Sequence, residues 1–245
     1  MSATPASLPD IVVASSADEL DVLAAELMAR AIHGAISARG VARIALSGGT
    51  TPLGAYRRLA GMHLDFSRTV WFWVDERAVA PEDARSNYGA AALALGLADV
   101  TRFAKGQVHR MEAEDADGAA AALRYQEQLR REMGVASAVA FDLMTLGVGD
   151  DGHVASLFPE TGAVHIDDRL VAAIEARPGR GLEARLTLTA PVLQEARAIV
   201  VMCRGVAKRE PLRRALSPGS PDAVPARLLL GCRGRVDVVV DADAA

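Results

Sequence analysis

The stretch VAFDLMTLGVGDDGHVASLFPE, residues 139–160, decides how this chain is read. It opens on a predominantly apolar run that reads as a buried strand. Gly147, Gly149 and Gly152 then follow in the spacing G-x-G-x-x-G. After a strand, that spacing is the fingerprint of a dinucleotide site, where a crossover helix receives the pyrophosphate on its N-terminus. Two features argue against that use. Asp150 and Asp151 occupy the positions that would face the pyrophosphate, and carboxylates repel an anion there. The following VASLFPE meets Pro159 within about two helical turns, too soon for a crossover helix. What remains is a tight, glycine-rich loop at a strand end, carrying His153.

Outward from this loop, apolar runs and amphipathic segments alternate. Strands are expected at 11–14, 41–46, 70–74, 141–146, 170–173, 185–189, 199–203 and 236–240. Helices are expected from Ser16 through Ile32, with Leu20, Leu23, Leu27 and Ile32 near one face, and at 52–59, 87–97, 116–133, 207–216 and 225–230. Continuous apolar strands separated by helices predict an α/β fold: a mostly parallel, Rossmann-like sheet with helices on both faces. With 245 residues and no linker, repeat or low-complexity tract, one domain spanning 1–245 is expected. Such sheets bind ligands beyond the carboxyl ends of their strands.

Composition removes several function classes. The net charge is −4 with charges of both signs mixed along the chain, so no basic stripe offers itself to nucleic acid and no polybasic patch to a membrane. No run of about 18 apolar residues occurs, and the N-terminal MSATPASLPDIVV lacks the features of a signal peptide, so a cytoplasmic protein is expected. Cys203 and Cys232 lack a C-x-x-C partner and read as buried, reduced thiols. Lys105 and Lys208 are the only lysines among 27 basic residues. Lys208 sits just after an apolar strand and Gly205, at a helix start, where the need for a compact ammonium and chance are the two readings of its presence.

Three strand ends carry polar clusters. In ALSGGTTPLGAY, Gly48, Gly49, Thr50 and Thr51 lead into Pro52 at a helix start. Glycines admit close approach by an anion, hydroxyls add donors, and the helix N-terminus adds free N–H groups, which together make a phosphate cradle. The Lys of a nucleotide-binding P-loop is missing, which favours a small phosphorylated molecule; a plain capped turn is the bland alternative. In WVDERAVAPEDARSNY, Asp75, Glu76 and Arg77 tip a strand, while Arg85, Ser86 and Asn87 precede a helix. The carboxylate suits orientation of a base or a sugar hydroxyl and the arginines suit phosphate, whereas a surface ion pair and a helix cap would explain the same residues. In the third cluster, His153 is expected to begin a helical turn whose dipole keeps the imidazole neutral, as a general base for water requires. Asp150, Asp151 and His153 could ligate a metal, but no H-x-x-x-H or Cys/His cluster supports one, and no metal or cofactor is expected. His33, His63, His109 and His165 lack such neighbours and receive no role.

Taken in order, SGGTTP, VDERAV with RSNY, LGVGDDGHVASLFP, RLTLTAPVL and GVAKREPL resemble the 6-phosphogluconolactonase family, relatives of the glucosamine-6-phosphate deaminases. The likeness runs from residue 46 to about 216, and PARLLL with a last strand ending in Asp241 extends it. Asp150 stands where many relatives have Glu, Glu160 where Gly often follows the Pro, and VDVVVD lacks the usual Trp. The resemblance implies hydrolysis of 6-phospho-D-glucono-1,5-lactone to 6-phospho-D-gluconate in the pentose phosphate pathway, without metal or organic cofactor. It implies His153 as the base and Asp75 as orienter of the imidazole or the sugar. Arg77, Arg85 and Lys208, with the 48–51 backbone, would hold the phosphate and the carbonyl oxygen. Two rivals are an amino-sugar-phosphate deaminase, whose Asn-Glu-Pro after the histidine is replaced here by the acid-free ASLFP, and a non-catalytic sugar-phosphate sensor, for which no helix-turn-helix pattern is present.

Overall fold

The structure, a computed structural model, describes residues 8–134 and 139–245. Six strands form a parallel sheet: β1 (Asp10–Ala14), β2 (Ala42–Leu46), β3 (Thr69–Trp73), β5 (Leu143–Leu146), β8 (Ala198–Cys203) and β9 (Arg235–Asp241), in the order β1-β9-β8-β5-β2-β3. β5 and β8 are buried almost end to end, which requires cover on both faces, and accounts for their unbroken apolar sequences. Trp71, Phe72 and Trp73 of β3 are fully buried in one contiguous core that also takes in the other central strands.

Helix α1 (Ala17–Arg39) begins where Ser16 Oγ accepts the Glu19 N–H at 3.1 Å, and ends at Gly40, whose φ of +78° suits a left-handed cap. Its buried face is Leu20, Ala24, Met28 and Ile32; Leu23 and Leu27 lie beside that face, half-buried. The remaining helices are α2 (Leu53–Ala60), α3 (Asn87–Leu95), α4 (Gly118–Met133), α5 (Ala190–Gln194) and α6 (Arg209–Ala215). α5 was not anticipated, although Thr189 and Pro191 carry the signal of a helix start. Residues 225–231 form a 3-10 helix.

The parallel sheet does not hold every strand. β4 (Asp75–Arg77), β7 (Arg185–Leu188) and β6 (Val171–Ile174) form a separate antiparallel sheet in the order β4-β7-β6. The chain changes sheets at Val74, whose N–H donates to Leu46 O while its carbonyl accepts from Leu188 N. Asp75, Glu76 and Arg77 are therefore the first strand of the second sheet, rather than a loop at the tip of the first.

The order of strands explains where a ligand would sit. From β2 the chain steps to β3 on one side, while β5, β8 and β9 step away on the other. The loops after β2 and β5 leave in opposite directions at that switch point, opening a crevice between them.

Candidate active site

A cleft of about 300 Å³ lies in that crevice. Ser47, Gly48, Gly49 and Thr51 reach it from the loop after β2; Asp75 and Arg77 from β4; residues 147–150 and His153 from the loop after β5; Arg185 from β7 and Lys208 from the turn before α6.

The loop after β5 is a turn, not the start of a helix. Gly152 N–H donates to Gly149 O and Gly149 N–H to His153 O, each at 2.9 Å. Ala155 and Glu160 follow with positive φ of 49° and 56°, which no helix accommodates. Helix-dipole control of His153 therefore falls away. Its partner is Asp151, whose Oδ1 lies 2.6 Å from Nδ1 and also accepts the His153 N–H at 3.0 Å. The carboxylate selects the tautomer with its proton on Nδ1 and leaves Nε2 as the basic nitrogen. Burial works to raise the Asp151 carboxyl, but the hydrogen bonds from the His153 ring and backbone outweigh it and hold the group below its ordinary value. Phe158 packs on the imidazole with ring centroids 4.6 Å apart. A Cβ on Gly149 would overlap the imidazole, which explains a glycine there.

Asp75 does not orient the imidazole. Its Oδ2 accepts from Ser156 Oγ at 2.6 Å and lies 3.6 Å from Arg185 Nη1, while Oδ1 accepts from Asn87 Nδ2 at 3.1 Å. Asp75 ties the histidine loop to the second sheet. The two glycines after β2 also differ in purpose. A Cβ on Gly48 would overlap the Asn87 amide, whereas Gly49, at φ +84°, faces open space and meets a conformational need.

The cations divide differently from expectation. Arg85 is ion-paired to Asp83 at 2.8 Å and to Glu183, does not line the cleft, and receives Arg77 Nη1 on its backbone carbonyl. Thr50 is exposed and also outside the lining. Arg185, which sequence reasoning assigned only to a strand, lines the cleft and stands directly across from Arg77 in the β4–β7 register. Like charges facing each other across a strand pair are unfavourable, and burial further lowers the affinity of Arg185 for its proton. The Asp75 carboxylate, 3.6 Å away, and Glu183 work in the opposite direction. Lys208 Nζ donates to Val148 O at 2.9 Å and to Asp150 Oδ1 at 2.6 Å. Its turn is fastened by Asp241, which accepts the Gly205 N–H at 3.0 Å. Among the described residues, no three His, Cys, Asp or Glu side chains are grouped as a metal ion would need.

Glu76 is buried beneath the cleft and accepts from the N–H groups of Arg77, Asn87 and Tyr88 and from Ser86 Oγ. It anchors the first turn of α3 rather than facing a ligand.

The parallel sheet thus opens on a histidine held by a carboxylate and on a cluster of cations. The chain belongs to the family of glucosamine-6-phosphate isomerases/6-phosphogluconolactonase, which it matches over residues 15–238. It is 37% identical over 198 residues to a 6-phosphogluconolactonase of Synechocystis, covering 80% of each chain. It is 34% identical over 237 residues to a 6-phosphogluconolactonase of Mycobacterium tuberculosis, covering 93% of this chain and 94% of the relative. The solved 6-phosphogluconolactonase of Trypanosoma brucei superposes with a TM-score of 0.82 at 26% identity, over 97% of both chains. A monomeric glucosamine-6-phosphate deaminase shares the fold, with a TM-score of 0.74 at 22% identity.

Proposed function

We propose that this protein hydrolyses 6-phospho-D-glucono-1,5-lactone to 6-phospho-D-gluconate, as its lactonase relatives are named for doing, with residues 1–245 acting as one unit. The observation that carries the reading is that His153, hydrogen-bonded to Asp151, lines the same cleft as the paired Arg77 and Arg185. His153 Nε2 takes a proton from water as the water oxygen bonds to the lactone carbonyl carbon. The tetrahedral oxyanion then collapses, the ring C–O bond breaks, and His153 returns the proton to the departing ring oxygen. Arg77, Arg185 and Lys208, with the Gly48, Gly49 and Thr51 loop, share two duties: holding the phosphate and steadying the carbonyl oxygen. Arg85 leaves the set because its charge is spent on Asp83 and Glu183 outside the cleft. Asp75 acts as a tie between loops.

The segment after His153 favours lactone opening over deamination. It presents Val154 through Phe158, with Phe158 packed on the imidazole and no acid placed for a second proton transfer. The sugar-phosphate sensor reading leaves the hydrogen-bonded imidazole without a task. No helix among the described residues is long and apolar enough to cross a membrane. The test offers the purified protein both the phosphorylated lactone and glucosamine 6-phosphate. Lactone opening without ammonia release is the expected pattern; ammonia release without lactone opening would reverse the assignment.

A further inference from the structure

The cradle after β2 contains two adjacent glycines, so its own backbone resists deformation poorly. Something must hold it, and a buried ring of three hydrogen bonds closes on Ser47, the residue that begins it. Ser47 N–H donates to Thr145 Oγ1 at 2.8 Å. Thr145 Oγ1 and Tyr56 Oη are 2.7 Å apart, and Tyr56 O–H donates to Ser47 O at 2.9 Å. A carbonyl can only accept, so the tyrosine proton goes to Ser47 O and the threonine proton goes to the tyrosine oxygen. The bonds then run head to tail from the Ser47 N–H back to the Ser47 carbonyl, an arrangement in which each bond polarises the next. Tyr56 and Thr145 are both wholly buried, and neither lines the cleft, whereas Ser47 does. Burial pushes the tyrosine hydroxyl up to about 12, so it remains a donor throughout the neutral range. The ring also spans elements: Tyr56 lies on α2, and Thr145 lies on β5, one residue before the strand ends and the histidine loop begins.

We propose that Tyr56 and Thr145 are positioning residues for the anion cradle: they fix the peptide planes on both sides of Ser47, the second of which carries the Gly48 N–H, and so set where the glycine loop leaves, without touching the ligand. This rests on the reading of residues 48–51 as the phosphate-holding loop.

The test compares wild type with Tyr56→Phe, Thr145→Val, Thr145→Ser and the Tyr56→Phe/Thr145→Val double variant. It measures KM and kcat for the phosphorylated lactone, inhibition by inorganic phosphate, and melting temperature. Opening the ring should raise KM and the phosphate inhibition constant together by roughly tenfold, the effect of one buried hydrogen bond, with kcat little changed. Thr145→Ser, which keeps the hydroxyl, should stay near wild type. The double variant should be no worse than the weaker single one, because a ring is broken only once. Unchanged KM and phosphate inhibition in Tyr56→Phe and Thr145→Val, whatever their melting temperatures, would overturn the proposal; so would a loss confined to kcat. Should Tyr56→Phe fail to fold, the contrast between Thr145→Val and Thr145→Ser decides. A wild-type enzyme indifferent to inorganic phosphate would instead remove the cradle reading, and this proposal with it.

Discussion

At the scale of single residues, the account turns on His153 and Asp151 as one device. His153→Ala should lower kcat by about two to four orders of magnitude with KM largely kept, as steady-state kinetics on the phosphorylated lactone would read. Asp151→Asn keeps the shape but loses the tautomer control, and should lower kcat by about 10- to 10³-fold, less than loss of the base itself. The same carboxyl gives a stability signature. Its folded value lies below its ordinary one, so its stabilising effect is complete above the unfolded value near 3.9 and is lost as pH falls through the lower folded value. Melts from pH 7 to 3 should therefore show wild type losing its advantage over Asp151→Asn only in the acid range. His153 and its glycines were legible in the sequence because they are neighbours along the chain. Arg185 was not, because it reaches the site only through its antiparallel pairing with Arg77, 108 positions away in the β4–β7 register.

At the scale of elements, the loops depend on contacts that glycine and one cap permit. Ser86 caps α3 by accepting the Gly89 N–H at 3.0 Å, and also donates to Glu76 Oε2 at 3.0 Å. Ser86→Ala should cost about 1–2 kcal/mol in denaturant unfolding, since it removes the cap and leaves a buried carboxylate short of a donor. Gly149→Ala should displace the His153 ring and reduce kcat, while Gly48→Ala should displace Asn87 and weaken the Asp75 tie; crystal structures or proton spectra of each variant would show which side chain moves. The long central strands and α1 could be read from periodicity and capping residues. The three-residue β4 could not, because so short a segment has no period, and its identity as a strand comes from β7 alone. β6 and β7 read correctly as strands, but nothing local told which sheet they join.

At the scale of the whole molecule, the contiguous core buries both thiols. Burial pushes Cys203 up to about 11 and Cys232 up to about 12, so both remain protonated at pH 8, where a thiolate would be needed to react. A thiol reagent should label native protein far more slowly than unfolded protein, which should take up two equivalents; rapid native labelling would contradict the packing around both β8 and the 3-10 helix. The fold was legible because a parallel sheet writes itself as repeated apolar runs, and with it a site beyond the strands' carboxyl ends; the switch-point crevice was not, because it follows from a strand order that only pairing in space sets. The measurement that bears most directly on the central claim is the opening of freshly generated 6-phosphoglucono-δ-lactone by wild type and by His153→Ala, against the spontaneous rate and with EDTA present. The account predicts acceleration by wild type that survives the chelator and nearly vanishes in the variant. Wild-type turnover by His153→Ala, or no acceleration by either protein, would contradict it.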